Sequence, residues 1–149
     1  MASNSQTGRG KIIERYGMAG ETDLQRLLAA LNPELNAGEF VYCLMDSREA
    51  AALLEPICIF LEEEGITVIL PKARADEMGL SYPTVCAWIT LTVHSSLEGV
   101  GLTAAVSRAL AEANISCNVV AAWHHDHLFV PVKDAERAMG VLRSLSKEN

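Results

Sequence analysis

The stretch Trp88-Ile-Thr-Leu-Thr-Val-His-Ser-Ser-Leu-Glu-Gly-Val-Gly-Leu-Thr-Ala-Ala-Val106 decides the fold. Up to Val93, large apolar residues alternate with threonines, which is the two-residue period of a half-buried strand. Further along, Leu102, Val106 and Leu110 recur at helical spacing and predict one apolar helix face. The stretch is therefore a strand joined to a helix through a short polar turn.

Within that turn, Ser95 and Glu98 have the spacing of a capping box, which predicts that the helix starts there. Gly99 and Gly101 then fall inside the helix. With Ala104 they also match the dinucleotide-binding pattern G-x-G-x-x-A. We do not favour that interpretation, because the glycines would lie within the helix and the next strand ends without an acidic residue for a ribose.

The same order of elements occurs twice along the chain. In each half an apolar strand is followed by a helix, a strand hairpin and a second helix. The halves align at an offset of 61 residues, which places Gly65 opposite Asp126. This order predicts an α+β fold of two ferredoxin-like βαββα units packed together, with mostly antiparallel sheets and helices on one face. We expect a flexible leader at residues 1–17, a first unit at 18–83 and a second at 84–149.

Composition limits the classes of function. The net charge of −7 disfavours nucleic acid and anionic membrane surfaces as partners. No apolar run approaches the roughly 20 residues that cross a bilayer, and the N-terminus lacks the apolar segment of a signal peptide. The four cysteines are scattered among apolar residues, as is typical of reduced thiols in a core. These features predict a cytoplasmic protein.

The stretch from Trp88 to Val106, followed by Asn114-Ile-Ser-Cys-Asn-Val-Val-Ala121 and His125-Asp-His-Leu-Phe-Val-Pro131, resembles the ACT domain. More narrowly, residues 18–146 are similar to small bacterial proteins with two tandem ACT-like domains, which are relatives of aspartokinase regulatory regions. The resemblance is stronger in the second half than in the first. It implies a ligand site at the strand-to-helix turn, at an interface between two domains. The candidate ligand-binding residues are Ser95, Ser96, Glu98, Gly99, Val100, Gly101, Asn118 and Val119.

The chemistry of these residues suits the head group of an amino acid. A helix N-terminus offers free N–H groups and partial positive charge to a carboxylate. We expect Asn118 to lie beside the turn, where its amide can donate to a carboxylate and accept from an ammonium. The first half has no equivalent of Gly99-Val-Gly101, so at most one site per chain, or one shared in a dimer, is expected.

The leading hypothesis is a regulatory protein, not an enzyme, that binds an amino acid or similar metabolite, forms a homodimer and has a regulated enzyme as a further partner. The alternative is a ligand-free module for protein–protein interaction and oligomerisation. A metal-dependent enzyme built on His94, His124, His125 and His127 is less favoured, since zinc needs three or four converging ligands. Ser95 follows His94 without a nucleophile elbow, so no catalytic residue, cofactor or metal site is predicted.

Overall fold

The computed structural model describes residues 23–147, and the expected leader at residues 1–17 lies outside them. Five α-helices and seven strands follow one another in this part of the chain. The helices are α1 Leu24–Ala29, α2 Arg48–Leu53, α3 Lys72–Glu77, α4 Leu102–Glu112 and α5 Ala135–Lys147. The strands are β1 Pro33–Leu35, β2 Phe40–Met45, β3 Cys58–Leu61, β4 Ile66–Pro71, β5 Val85–Leu91, β6 Asn118–Ala121 and β7 Asp126–Pro131, and a 3-10 turn at Val132–Asp134 precedes α5.

All seven strands join one sheet, in the order β3-β4-β2-β5-β7-β6, with β1 paired to β5. Every pairing is antiparallel. The predicted α+β class with two ferredoxin-like units is therefore confirmed. The sheet is continuous across the halves because the start of β5 pairs with β2, at Val85 and Cys86.

The far end of β5 has a different neighbour, β1, which pairs with Ile89, Thr90 and Leu91. Each half thus obtains its fourth strand from outside its own βαββα run, the first from β5 and the second from β1. The side chains of Leu27, Leu28 and Leu31 lie in the same buried cluster as those of α4 and α5. Residues 24–35 therefore pack with the second half, while the domain bounds set at 83 and 84 stay a prediction.

Alternation along the strands divides the apolar side chains between two faces. On the helix-covered face, one cluster around Leu128 and Val130 joins β5 and β7 to α1, α4 and α5. A second cluster, around Val41 and Val68, joins β2 and β4 to the first half's helices. The opposite face carries a third buried cluster, which contains Phe40, Ile69, Cys86 and Phe129.

The two hairpins reveal the repeat, but at an offset one residue shorter than the sequence alignment gave. Leu61 pairs with Ile66 at the end of the first hairpin, and Ala121 pairs with Asp126 at the end of the second. The alignment of Gly65 with Asp126 was therefore wrong. A one-residue slip exchanges the two faces of a strand, so the shorter offset also makes the burial patterns of the hairpins agree.

None of the helices among residues 23–147 is long and apolar enough to cross a membrane.

Candidate functional site

The turn between β5 and α4 occupies residues 92–101, and its end differs from the prediction. Helix α4 begins at Leu102, with Gly101 as its N-cap residue. The predicted capping box at Ser95 and Glu98 is wrong, because these residues lie in the turn. The Ser96 hydroxyl instead accepts a hydrogen bond from the Glu98 N–H at 3.2 Å, which folds the turn locally.

Gly101 is the residue that sets the helix start. Its φ of +107° is a conformation that side chains disfavour, and glycine adopts it without strain. A Cβ placed on Gly101 would also lie 2.9 Å from Cδ2 of Leu24 in α1. The earlier argument that the glycines lie inside the helix was therefore wrong. Gly101 is needed at the N-cap because α1 approaches closely and the backbone has a positive φ.

The start of α4 is left open by this arrangement. Gly101 has no side chain to cap the helix, and the first hydrogen bond of the helix runs from the Ala105 N–H to the Gly101 carbonyl at 2.9 Å. The N–H groups of the first turn precede that bond and have no partner in the helical ladder. They carry the positive end of the helix dipole, which is the kind of backbone arrangement that suits an anion.

The first half has no such opening. Strand β2 ends at Met45 and α2 begins at Arg48, so only Asp46 and Ser47 separate them. The Ser47 hydroxyl accepts from the Ala50 N–H at 3.0 Å and caps the helix. The two halves therefore differ in the turn where a ligand site was predicted.

Three histidines lie at the turn of the second half, His94 within it and His124 and His125 in the hairpin between β6 and β7. The rings of His94 and His124 lie with their centroids 5.6 Å apart, and His125 Nδ1 lies 3.4 Å from the Val93 carbonyl oxygen. Within residues 23–147, no three His, Cys, Asp or Glu side chains converge as metal ligands would. The histidines thus border the turn as polar neighbours.

The predicted partner of the turn, Asn118, lies elsewhere. Strands β5 and β6 are both antiparallel to β7, so they run parallel and their starts share one end of the sheet. Asn118 is level with Trp88, whereas the turn leaves from the end beyond Leu91. That separation is about 10 Å along the strand and about 10 Å across two strands. Val119 packs on the helix-side core.

The six candidates Ser95, Ser96, Glu98, Gly99, Val100 and Gly101 therefore share one turn, and Asn118 and Val119 do not join them within the chain. The expectation that Asn118 lies beside the turn was wrong. The sequence argument placed the start of β6 at the end of β5, which a parallel relation between these strands excludes.

One carboxylate at this end of the sheet was missed. Asp126 begins β7, is 9% exposed and pairs with Leu91, the last residue of β5. Burial raises the pKa of its carboxyl group, while the nearby His127 and His125 lower the pKa. The sequence alignment made Asp126 equivalent to Gly65, whereas the corrected offset makes it equivalent to Ile66, the first residue of β4.

The opposite sheet face carries a polar cluster that joins β5, β7 and the chain after β1. Trp88 Nε1 donates to His127 Nδ1 at 3.0 Å, and Thr90 Oγ1 lies 3.1 Å from the same nitrogen. Asn36 Nδ2 donates to Thr90 Oγ1 at 2.9 Å. Burial lowers the pKa of His127, as does the nearby His125, so the neutral ring accepts the bond from Trp88.

The comparisons with known proteins agree with the repeat. One model of the ACT domain matches residues 19–87, and a second ACT domain model matches residues 84–144. No curated protein sequence matches.

Solved structures extend this comparison. A protein of unknown function from Vibrio cholerae, described as a possible transport protein, is 43% identical, with 83% of this chain and 95% of that chain covered and a TM-score of 0.76. A protein from Agrobacterium tumefaciens is 17% identical over 78% of this chain and 89% of that one, with a TM-score of 0.58. The ligand-free regulatory subunit of aspartate kinase from Thermus thermophilus is 11% identical, with 78% and 98% covered and a TM-score of 0.55.

The last two similarities concern the fold alone. The two matched models and the fold of the aspartate kinase regulatory subunits lead to one conclusion: the chain belongs to the ACT domain family, as a protein with two tandem ACT domains.

Proposed function

We propose that this chain is a regulatory protein without catalytic activity, which binds an α-amino acid at the turn before α4. The observation that carries the proposal is the open helix start at Gly101. Backbone N–H groups of the first turn are suited to the carboxylate, and the hydroxyls of Ser95 and Ser96 add further polar groups nearby.

Asp126 is the proposed partner of the ligand's ammonium group. It lies on the helix-covered side of the sheet, level with the last residue of β5, where the turn begins. Burial disfavours the charged form of Asp126 because the carboxylate is poorly solvated. An ammonium group bound beside it would supply the opposite charge that water supplies less well there. A site that binds a carboxylate at the helix start and an ammonium group at Asp126 would prefer an α-amino acid to small acids that lack an ammonium group.

A site completed by a second domain or a second copy is the one arrangement in which Asn118 and Val119 would contact a ligand at the turn. They lie too far from the turn of their own chain to contact the same small ligand. A ligand held between two domains stabilises the arrangement that brings them together. That coupling would transmit ligand binding to a regulated enzyme.

The test is thermal and calorimetric titration of the full chain with each of the twenty amino acids. One or two of them should bind selectively, and at 100 times the dissociation constant they should add about 2.7 kcal/mol to the free energy of unfolding. Asp126→Asn should abolish the effect. The control Asp46→Asn, in the capped turn of the first half, should retain it. No heat and no stabilisation with any amino acid would reject the proposal.

A second candidate function is a ligand-free interaction module. The turn exposes two large apolar side chains, Leu97 at 65% and Val100 at 83%. Exposed apolar groups in a turn favour contact with another protein. Under this alternative, Val100→Asp would remove a stoichiometric protein partner recovered from native lysate, and the amino acid panel would have no effect on thermal stability.

A further inference from the structure

The two hairpins have the same backbone geometry at their tips. In the first hairpin, the Glu62 N–H donates to the Gly65 carbonyl at 2.9 Å, and in the second the Ala122 N–H donates to the His125 carbonyl at 3.0 Å. These positions are equivalent, because each pair directly follows the last paired residues of its hairpin. Both tips are therefore two-residue loops, and the loop geometry does not require the side chains that the second one carries.

The second hairpin tip, which we define as residues 122–125, has aromatic side chains where the first has acidic ones. Glu63 and Glu64 form the loop of the first hairpin, whereas Trp123 and His124 form that of the second. Trp123 is 66% exposed, although tryptophan side chains are highly buried on average. An exposed indole whose counterpart is a glutamate is suited to contact with an apolar group from outside the chain.

The second hairpin tip lies against the turn before α4. The rings of His124 in the tip and His94 in the turn have their centroids 5.6 Å apart. Trp123 is three residues from Asp126, which limits the distance between their Cα atoms to at most about 11 Å. The two features that distinguish the second half, its open helix start and its aromatic tip, therefore occur at the same end of the sheet.

The charges of the two tips also differ. Residues 62–64 are all glutamates, which would repel the carboxylate of an amino acid bound beside the first tip. The second hairpin tip has no acidic residue. Asp126 follows it and is 9% exposed, and within residues 23–147 the side-chain charges that act on its carboxyl group are those of His125 and His127. The second tip is therefore compatible with a bound carboxylate, and a buried acceptor for an ammonium group lies next to it.

We propose that Trp123 contacts the side chain of the ligand, and that the ligand is an α-amino acid with a large apolar side chain. This inference rests on the proposed function, since it extends the amino acid site at the turn. When the carboxylate binds at the helix start and the ammonium group at Asp126, the side chain of the ligand packs against the indole ring. Leu97 and Val100, which are exposed on the turn, add further apolar groups at this end of the sheet. Contact between these apolar groups removes them from water and stabilises the complex.

The test is calorimetric titration of the full chain with leucine, methionine, phenylalanine, alanine, aspartate and lysine. One of the three large apolar amino acids should bind at least roughly 10-fold more tightly than alanine, because alanine lacks most of the contacts with the indole. Trp123→Ala should weaken binding of that ligand by at least roughly 10-fold, while Trp123→Phe should retain most of the affinity. The matched control Glu63→Ala, at the equivalent position of the first hairpin, should bind as the unchanged chain does.

Tryptophan fluorescence provides a second measurement. The chain has two tryptophans, and the other one, Trp88, lies on the opposite sheet face, where its Nε1 donates to His127. The preferred amino acid should therefore change the emission of the unchanged chain and leave that of Trp123→Phe as it was.

Failure of this inference and failure of the proposed function give different results. Tightest binding of alanine, aspartate or lysine would overturn the inference and leave the amino acid site standing. The same holds for a folded Trp123→Ala chain that binds its ligand as tightly as Glu63→Ala does. Absence of binding by every amino acid would reject the proposed function, and the ligand class with it.

Discussion

Replacement of Gly101 by alanine tests the helix start on which the candidate site depends. The residue has a φ of +107°, where a side chain costs of order 1–3 kcal/mol. The added Cβ would also lie 2.9 Å from Cδ2 of Leu24, so α1 or its side chain must shift. Overpacking costs about 1–3 kcal/mol, and the lower end of that range applies because Cδ2 is the end of a flexible, half-buried side chain. We expect Gly101→Ala to lower the free energy of unfolding by about 2–4 kcal/mol.

Two other glycines separate these contributions. Gly79 has a φ of +64° and nothing within 4 Å of a Cβ, so Gly79→Ala should show backbone strain alone, about 1–2 kcal/mol. Gly140 lies within α5 with equally open space, and Gly140→Ala should stabilise the helix by up to about 1 kcal/mol. Urea denaturation, followed by circular dichroism, measures all three. If Gly101→Ala were no more destabilising than Gly79→Ala, the close approach of α1 would be refuted.

Three further predictions concern buried polar groups. Asp126→Asn should raise the free energy of unfolding at neutral pH. Folding raises the pKa of the Asp126 carboxyl group above 3.8, so the stability of the unchanged chain should fall as the pH rises from 3.8 through the folded-state pKa. Urea denaturation at several pH values measures this. His127 should titrate below 6.5 by NMR, and stability should decrease as pH falls from 6.5 toward that lower pKa. Tyr42→Phe should stabilise the chain by about 1 kcal/mol in thermal denaturation, because no group within residues 23–147 forms a hydrogen bond with the buried hydroxyl of Tyr42. Burial raises the pKa of Tyr42 to about 12.

The sequence predicted local structure well where one interaction dominates. The buried face of α4 at Leu102, Val106 and Leu110 is confirmed, because helical periodicity directly records which side is covered. The capping box failed in the same segment. Ser95 and Glu98 have the right spacing, but capping spacing is local, whereas the contact between Gly101 and Leu24 joins residues far apart in the chain.

The rest of the candidate site depends on contacts between residues that are far apart in the chain. The six turn residues are consecutive or nearly so, and chain connectivity alone keeps them together. The position of Asn118 depends on the direction in which β6 crosses the sheet, and that of Asp126 depends on the pairing register of β7. Strand alternation predicts faces, but it does not predict which residues of distant strands are level with each other.

By itself, the sequence determined the two βαββα units, their family and the turn most suited to a ligand, because periodicity, repeat and connectivity are properties of neighbouring residues. Only the tertiary structure decided that β5 serves both halves, that β1 completes the second, and that Asp126 rather than Asn118 lies near the turn. These features result from hydrogen bonds and packing between segments far apart in the chain, where many pairings satisfy the same local pattern and burial of the common core selects one.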